Sequence, residues 1–316
     1  MIFYFHLGYP KTGTKFLQKR IFNKMSEVSY LGKDFNDNLE NIFIDIISLS
    51  ENDFKLKKKI FIELINVELN KHDKEKFIIS DERFITSLYL NTKEKFIGND
   101  LDRSISRLYE IFSELGKVKF LIVIRKHTEI LESFFYQITL GSFLKFKLEK
   151  KKIIQTLKGK KSDQSFVLEN FFYNKIFTKI LSLSKSSKLI FFEDLKFDPD
   201  KFFQDLSEFL DLKDRLHFLT HKNPKINKKW DRRKAVVKIL FPNIKNLIRN
   251  LFNFDTYKYR FIFLKKNFYD SFFKDFNLKY INFCKNEKLV KEYFKNDLVR
   301  FPENIKAKLR KYDYFQ

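Results

Sequence analysis

Short runs of apolar and aromatic residues alternate with segments of helical periodicity along the first two-thirds of the chain. Four runs stand out, namely Ile2 to Leu7, Lys76 to Ser80, Val118 to Ile124 and Lys188 to Phe192. Continuous hydrophobicity over so few residues is typical of strands that are buried on both faces. Apolar positions spaced by three or four residues follow the runs, which predicts intervening helices. The alternation therefore predicts an α/β fold with helices on both faces of a central, mainly parallel sheet.

Two of these helices have recognisable starts. After the third strand, Thr128 is the predicted N-cap of a helix whose apolar positions include Ile130 and Leu131. After the fourth strand, Asp198-Pro199 is typical of a helix start, because proline is favoured in the first turn. Apolar residues then recur at helical spacing and predict one buried face, which comprises Phe202, Phe203, Leu206, Phe209 and Leu210.

The composition changes in the last third of the chain. From about residue 222 the sequence is strongly basic, and it then becomes rich in Phe and Tyr at helical spacing. We therefore expect a core at residues 1–215 and a basic, aromatic-rich helical extension at residues 216–316 that packs on the core. Residues 141–165 are Lys-rich and weakly periodic, which predicts a mobile loop or short helices on the surface.

The overall composition excludes several classes of protein. The 316 residues include 41 Phe, which excludes a disordered chain, and only 7 Gly and 5 Pro, which excludes collagen-like repeats. Cys284 is the single cysteine, so the chain has no intramolecular disulfide or cysteine-cluster metal site, and a reducing compartment is expected. The net charge of +23 would attract nucleic acid. The joint abundance of Lys, Asn, Ile and Phe equally fits a coding bias towards A/T-rich codons.

Signals for secretion and membrane insertion are absent from the sequence. The first residues have no charged n-region and no small-residue cleavage site, which argues against a signal peptide. The densest apolar run, Phe120 to Ile124, is five residues long. A bilayer span needs about 20 residues. We expect a soluble, cytoplasmic protein without a transmembrane segment.

The segment between the first strand and the first helix has the properties of an anion site. Backbone N–H groups and the positive end of the helix dipole face outward together at such a turn. Glycines allow close approach, threonines add hydroxyl donors and lysines add charge, the residues being Gly8, Lys11, Thr12, Gly13, Thr14 and Lys15. A Walker A loop requires Lys followed directly by Ser or Thr, whereas Thr14 precedes Lys15 here. The loop therefore suits a phosphate-type group that is handled without a P-loop metal.

A second cationic position follows the third strand. Arg125 leaves this strand at its carboxyl end, where ligands collect in open α/β sheets. A guanidinium group binds phosphate bidentately, so lysine would be a poor substitute. Ser133 lies near the start of the next helix and is expected to share an oxyanion with Arg125. Taken alone, an arginine after a strand is weak evidence, but together with the loop it indicates a second anion-binding position.

These residues resemble the donor site of the sulfotransferases that use 3′-phosphoadenosine 5′-phosphosulfate (PAPS), in particular the bacterial and carbohydrate-type members. The segment HLGYPKTGTKFLQ is similar to their 5′-phosphosulfate loop, except that Lys15 replaces a hydroxyl residue. Arg125 and Ser133 resemble the family's 3′-phosphate site, and Phe191–Pro199 resembles its later strand, Glu-Asp-Leu and helix. The resemblance covers most of the chain and implies a P-loop-type three-layer α/β/α fold.

The resemblance also implies how the donor is held and activated. Lys11 would stabilise the negative charge that grows on the bridging oxygen as the sulfonate group leaves, which agrees with its place in the loop. The phosphosulfate would be held by the residues that follow, namely Thr12, Gly13, Thr14 and Lys15. A late basic loop closes over the 3′-phosphate in related enzymes, and Arg232 and Arg233 are candidates for it. The alternative for these two arginines is the solvated face of a helix.

The acceptor hydroxyl needs a base, or at least a hydrogen-bond acceptor within about 3 Å. Cytosolic members of the family resemble one another in having a His just after the strand that precedes the arginine-bearing strand. This chain has no His there, and Ser80-Asp81-Glu82-Arg83 follows that strand instead. Carbohydrate-type members use a Glu. We predict Glu82 as the base and Asp81 as the second choice, the alternative being a solvated acidic turn paired to Arg83. His6, beside the loop, is either an acceptor-side or a structural residue.

The expected function is a PAPS-dependent sulfotransferase that moves the sulfonate group to a hydroxyl of an acceptor, such as a carbohydrate or glycan. The other product is adenosine 3′,5′-bisphosphate (PAP). No metal is expected, because the histidines lack ligand spacing. One alternative is a nucleic-acid-binding protein, although the chain has no recognised reading motif and no nucleic-acid partner is expected. Another is a P-loop nucleotide or small-molecule kinase, against which the order Thr14-Lys15 argues. The aromatic helices predicted at 251–283 would suit a homo-oligomer.

Overall fold

The computed structural model describes most of the predicted core and the end of the chain. The described residues are 1–32, 37–85, 101–138, 151–160, 168–213, 216 and 286–315. The predicted basic loop, with Arg232 and Arg233, lies outside them, as do the aromatic helices predicted at 251–283. Within the described part of the chain, no helix is both long enough and apolar enough to cross a bilayer.

In the described part of the chain, five parallel strands form one sheet in the order β2-β3-β1-β4-β5. Their bounds are β1 (Ile2–Gly8), β2 (Ser29–Tyr30), β3 (Lys76–Ser80), β4 (Lys117–Ile124) and β5 (Lys188–Phe191). The four predicted strands are β1, β3, β4 and β5. The prediction of an α/β fold with a central parallel sheet is confirmed.

Helices connect the strands, as parallel pairing requires. After β1, α1 (Thr14–Phe16) continues as a π turn (Leu17–Ile21) and a 3-10 turn (Phe22–Lys24). Further 3-10 turns occur at Glu82–Phe84 and Leu168–Phe171. The other helices among the described residues are α2 (Asp37–Ser48), α3 (Glu51–Leu69), α4 (Leu101–Leu115), α5 (His127–Ile138), α6 (151–157), α7 (Tyr173–Leu183), α8 (Phe192–Phe197), α9 (Pro199–Phe209), α10 (Glu287–Leu298) and α11 (Glu303–Lys311).

The sheet buries aromatic side chains on both of its faces. On one face, Phe3 and Phe5 of β1 pack on Phe112 of α4, with ring centroids 5.0 and 4.9 Å apart. On the other face, Tyr4 packs on Phe209 of α9 at 5.5 Å. Because successive side chains of a strand point to opposite faces, helices must cover β1 from both sides. This packing explains why β1 reads as a continuous apolar run.

One predicted helix start is confirmed and the other is wrong. The side chain of Asp198 accepts a hydrogen bond from the backbone N–H of Lys201 at 3.2 Å and caps α9. In contrast, α5 already begins at His127, and the carbonyl of Lys126 accepts the first helical hydrogen bonds. Thr128 therefore lies inside the helix and is not its N-cap.

The chain divides into two compact units. The sheet unit consists of Met1–Ile130, Val167–Pro224 and Phe294–Gln316. The second unit consists of Leu131–Phe166 and Lys225–Tyr293, and its described part includes α6. The domain boundary expected near residue 215 stays a prediction.

Candidate functional site

The carboxyl ends of three neighbouring strands bring three of the predicted segments to one edge of the sheet. In the register of the sheet, His6 of β1 lies opposite Ser80 of β3, and Gly8 lies opposite Val123 of β4. The loop after β1, the acidic turn after β3 and Arg125 after β4 therefore begin at the same edge. This is the edge at which ligands bind in open α/β sheets.

The loop after β1 contains two residues in the left-handed backbone region. Gly13 has φ 82° and Lys11 has φ 70°. A side chain in this region costs about 1–3 kcal/mol and persists only where the surroundings impose it, which is typical of ligand sites. The carbonyl of Gly13 accepts from the N–H groups of Phe16 and Leu17 at 2.9 and 3.0 Å. The first N–H groups after Gly13 have no partner within the helix, so the turn suits an anion.

The two threonine hydroxyls of the loop stabilise it from the inside. Both Thr12 and Thr14 are buried, and their Oγ1 atoms donate to the carbonyl of Tyr9 at 2.7 and 3.1 Å. A Cβ atom on Gly8 would lie 2.4 Å from the Thr14 Oγ1, so only glycine fits at that position. In this arrangement the threonine hydroxyls fix the shape of the loop. The predicted contacts of Thr12 and Thr14 with a phosphosulfate stay predictions.

Tyr9 anchors the loop in the core. Its ring is fully buried and stacks on Phe171 with centroids 5.3 Å apart. Its hydroxyl donates to the carbonyl of Asn170 at 2.6 Å. The sequence analysis assigned Tyr9 no role, although a large aromatic residue beside Gly8 in a polar loop is itself a signal of an anchor.

Three cations lie near one another at this edge. Lys11 is half-buried, Lys15 is exposed, and the side chain of Arg125 is 19% exposed. Burial lowers the pKa of Lys11 below its ordinary value and the charge of Lys15 adds to this effect, whereas the carboxylate of Glu82 opposes it. Arg125 also lowers the pKa of Lys11. The loop lysine is thus within electrostatic reach of both the arginine motif and the acidic turn.

Arg125 holds the loop directly. Its Nη1 donates to the carbonyl of Lys11 at 2.8 Å, which fixes the left-handed residue. Its Nη2 and Nε donate to Oε2 of Glu129 at 2.6 and 3.2 Å, and the guanidinium lies over the ring of Phe192. Burial would raise the pKa of Glu129, but the hydrogen bonds and charge of Arg125 outweigh it and hold the pKa below its ordinary value. Sequence reasoning missed the pairing with Glu129, which the i,i+4 spacing could have indicated.

The two carboxylates of the acidic turn have different surroundings. Asp81 is buried, accepts from Nε of Arg83 at 2.9 and 3.0 Å, and caps the following 3-10 turn by accepting from the Arg83 N–H at 2.8 Å. Arg83 also pairs with Glu40 at 2.7 Å. Glu82 is 6% exposed and is the carboxylate whose charge acts on Lys11. The carboxylate of Asp81 is thus bound by Arg83, whereas the charge of Glu82 acts on Lys11.

His6 lies beneath the loop in a buried polar group. Its Nδ1 lies 2.7 Å from the Ser80 Oγ, and the side chain of Gln18 donates to the Ser80 carbonyl at 3.0 Å. Burial lowers the pKa of His6 to about 3, so the ring is neutral at physiological pH. The ring of His6 also packs edge-on against that of Phe22. These contacts favour a structural role for His6.

The remaining predicted residues are placed only in part. Ser133 lies on α5 in the second unit, so its predicted contact with the ligand of Arg125 stays a prediction. Arg232 and Arg233 fall outside the described residues. In the described portion of the chain, no group of three or more His, Cys, Asp or Glu side chains is arranged to hold a metal ion.

Gly13→Ala is expected to lower the free energy of unfolding by about 1–2 kcal/mol, because the new side chain must adopt a left-handed conformation. The added Cβ would also lie 3.1 Å from the ring of Phe192. Gly159→Ala is the matched control, since Gly159 has φ 74° but nothing within 4 Å of an added Cβ. Urea denaturation of the two variants separates backbone strain from packing. A smaller loss for Gly13→Ala than for Gly159→Ala would contradict the close packing of the loop.

Comparison with known proteins gives matches among solved structures alone. No protein-family model and no curated protein sequence matches the chain. The chain is similar to the crystal structure of a sulfotransferase from Alicyclobacillus acidocaldarius, with TM-score 0.44, 14% identity, and coverage of 80% of this chain and 96% of that one. It is also similar to the sulfotransferase domain of the Synechococcus PCC 7002 olefin synthase (TM-score 0.36, 11% identity, 76% and 84% coverage). A third match is the sulfotransferase domain from the curacin biosynthetic pathway (TM-score 0.34, 13% identity, 73% and 77% coverage). At these TM-scores the functional inference rests on the chain's own residues.

Proposed function

We propose that the protein transfers the sulfonate group of PAPS to a hydroxyl of an acceptor and releases PAP. The observation that supports this best is the 2.8 Å hydrogen bond from Arg125 Nη1 to the carbonyl of Lys11. It joins two motifs that lie 114 residues apart in the sequence. Each motif resembles one half of a PAPS site, and their contact creates one cationic surface for a donor with two phosphate-type ends.

The donor would be held by both motifs at once. The N–H groups of the loop and the charge of Lys15 would bind the phosphosulfate. Arg125 would bind the 3′-phosphate together with Ser133, and Arg232 and Arg233 would close over it. Because Glu129 occupies Nε and Nη2 of Arg125, the 3′-phosphate would displace this carboxylate from the guanidinium. Direct competition of this kind makes Glu129 a sensitive probe of the proposal.

Lys11 and Glu82 would act on the reacting atoms. In the transfer, a bond forms from the acceptor oxygen to sulfur while the bond from sulfur to the bridging phosphate oxygen breaks. Lys11 would stabilise the charge that develops on that departing oxygen. Glu82 would accept the proton of the acceptor hydroxyl. As in phosphoryl transfer, positioning and electrostatics would supply most of the catalysis.

We further propose a carbohydrate or glycan hydroxyl as the acceptor. The support is the carboxylate Glu82 at the end of β3, where carbohydrate-type members of the resembled family have their base. His6, by contrast, is buried and neutral beneath the loop. The proposal includes the extension at residues 216–316 as the part that completes the donor site. It also includes the cytoplasm as the location, since a single cysteine fits a reducing compartment.

Isothermal titration calorimetry with PAP is the decisive test of donor recognition. We expect wild-type protein to bind PAP without a metal and more tightly than ATP or ADP. Arg125→Ala is expected to weaken PAP binding about tenfold to a hundredfold, because charge-assisted hydrogen bonds to phosphate are lost. Arg125→Lys should not restore the affinity, since an ammonium group cannot form the bidentate fork.

Glu129→Gln is the matched control for Arg125→Ala. It removes the competing charge from the same ion pair, so PAP should bind at least as tightly as to wild type. Weaker binding by Glu129→Gln would contradict the displacement of Glu129 by the 3′-phosphate.

Preference for Mg·ATP over PAP would favour a P-loop kinase. Salt-dependent binding of any oligonucleotide, without binding of PAP, would favour a nucleic-acid-binding protein.

A further inference from the structure

The end of the chain contacts the segment that follows β5. Beyond α11, the hydroxyl of Tyr314 donates to Oε2 of Glu193 at 2.9 Å, and both side chains are buried. The hydroxyl of Tyr312 donates to Oδ1 of the neighbouring Asp194. Lys308 adds an ion pair to Asp194 at 2.8 Å. Two tail tyrosines thus bind two adjacent carboxylates of α8.

Of these two carboxylates, only that of Glu193 also contacts the backbone next to Arg125. The other oxygen of Glu193, Oε1, accepts from the backbone N–H of Lys126 at 2.9 Å. This N–H belongs to the peptide group that directly follows Arg125. Glu193 therefore links Tyr314 at the end of the chain to the backbone next to the arginine.

The carbonyl of the same peptide group is fixed from another side. The hydroxyl of Tyr173 donates to the carbonyl of Arg125 at 2.6 Å. Both polar atoms of the peptide group between Arg125 and Lys126 are thus bound by buried side chains. Next to it, the ring of His127 lies between those of Tyr173 and Phe294, with centroids 4.3 and 3.9 Å away. The side chains of Tyr173 and Glu193 thus hold the plane of this one peptide group.

We infer that Glu193, with Tyr314 behind it, is a positioning residue that sets the direction of the Arg125 guanidinium towards the donor. The inference rests on the proposed function, because it assigns Arg125 to the 3′-phosphate. Rotation of the peptide plane after Arg125 would move the side chain away from the Lys11 carbonyl. An error of about 1 Å in such a group is enough to weaken binding or catalysis substantially.

The tail tyrosines provide a matched pair of variants. Tyr314→Phe and Tyr312→Phe each remove one hydroxyl that donates to a carboxylate of α8, but only Glu193 contacts the backbone of Lys126. Tyr314→Phe is expected to raise the Kd for PAP about threefold to tenfold, with unchanged binding stoichiometry. Tyr312→Phe should leave the Kd unchanged. Calorimetry distinguishes a loss of positioning from a loss of folded protein. A merely structural defect lowers the binding stoichiometry, whereas the folded fraction keeps its affinity for PAP.

A double-variant cycle tests whether the effect passes through Arg125. In the Arg125→Ala background, Tyr314→Phe should cause no further loss of PAP affinity. Tyr173→Phe releases the carbonyl end of the same peptide group and should raise the Kd to a similar degree, which keeps the test valid if Tyr314→Phe fails to fold.

Three outcomes would overturn the positioning role alone. They are an unchanged Kd in both Tyr314→Phe and Tyr173→Phe, an equal rise in Tyr312→Phe, and an undiminished effect in the Arg125→Ala background. Absence of PAP binding by the wild-type protein would instead overturn the proposed function, and the positioning role with it.

Discussion

Lys11→Ala is expected to lower kcat for sulfonate transfer by about a thousandfold, the loss seen when a single group that stabilises developing charge is removed. Lys11 is half-buried, and its left-handed backbone is fixed by Arg125 at the edge of the sheet. Its charge would act on the bridging oxygen mainly as the bond to sulfur breaks. The affinity for PAP should therefore fall far less than kcat. PAP release from PAPS, measured with a mixture of carbohydrate acceptors, gives the rate.

Lys15→Ala is the matched control for Lys11→Ala. Both variants remove one positive charge from the same loop, but Lys15 is exposed and would act on the phosphosulfate in the ground state as well. Loss of such uniform binding raises the KM for PAPS and leaves kcat nearly unchanged. Normal turnover by purified Lys11→Ala protein would contradict the mechanism. Equal effects of the two variants on kcat would contradict the separate role of Lys11.

The pattern of the sequence predicts strands where burial on both faces makes them continuously apolar. β3 matches its predicted run from Lys76 to Ser80, and β4 differs from its prediction by one residue at its start. β2, however, has only Ser29 and Tyr30, which is too short for any period to be visible. Its place in the sheet depends on pairing with β3, a contact between distant parts of the chain.

The position of the candidate site could be predicted, because the loop after β1 and Arg125 after β4 both follow buried parallel strands. The order of lysines, threonines and glycines after β1, and an arginine after β4, are local features that already indicate an anion. The directions of the hydroxyl groups were not predictable, because Thr12 and Thr14 donate to the nearest buried acceptor, the carbonyl of Tyr9. Nor were the contacts of Glu193, since its partners come from the backbone after β4 and from the end of the chain.

Glu82→Gln is expected to lower kcat by about a hundredfold, the low end of the range for a general base. The amide keeps the volume of the side chain but cannot accept the proton of the acceptor hydroxyl. Glu82 is buried beside the cationic loop, where its charge raises the pKa of Lys11. PAP binding should persist, so a joint measurement of PAP affinity and of PAP release from PAPS distinguishes loss of the base from loss of the donor site.

Asp81→Asn separates the two acidic candidates. The carboxylate of Asp81 is bound on both oxygens by Arg83, so its replacement leaves a buried guanidinium without its main partner. Removal of one member of a buried ion pair destabilises the fold. We therefore expect Asp81→Asn to lower the free energy of unfolding more than Glu82→Gln does. For kcat per folded molecule we expect the opposite, with the smaller loss in Asp81→Asn. The reverse order, with turnover lost in folded Asp81→Asn and kept in Glu82→Gln, would make Asp81 the base.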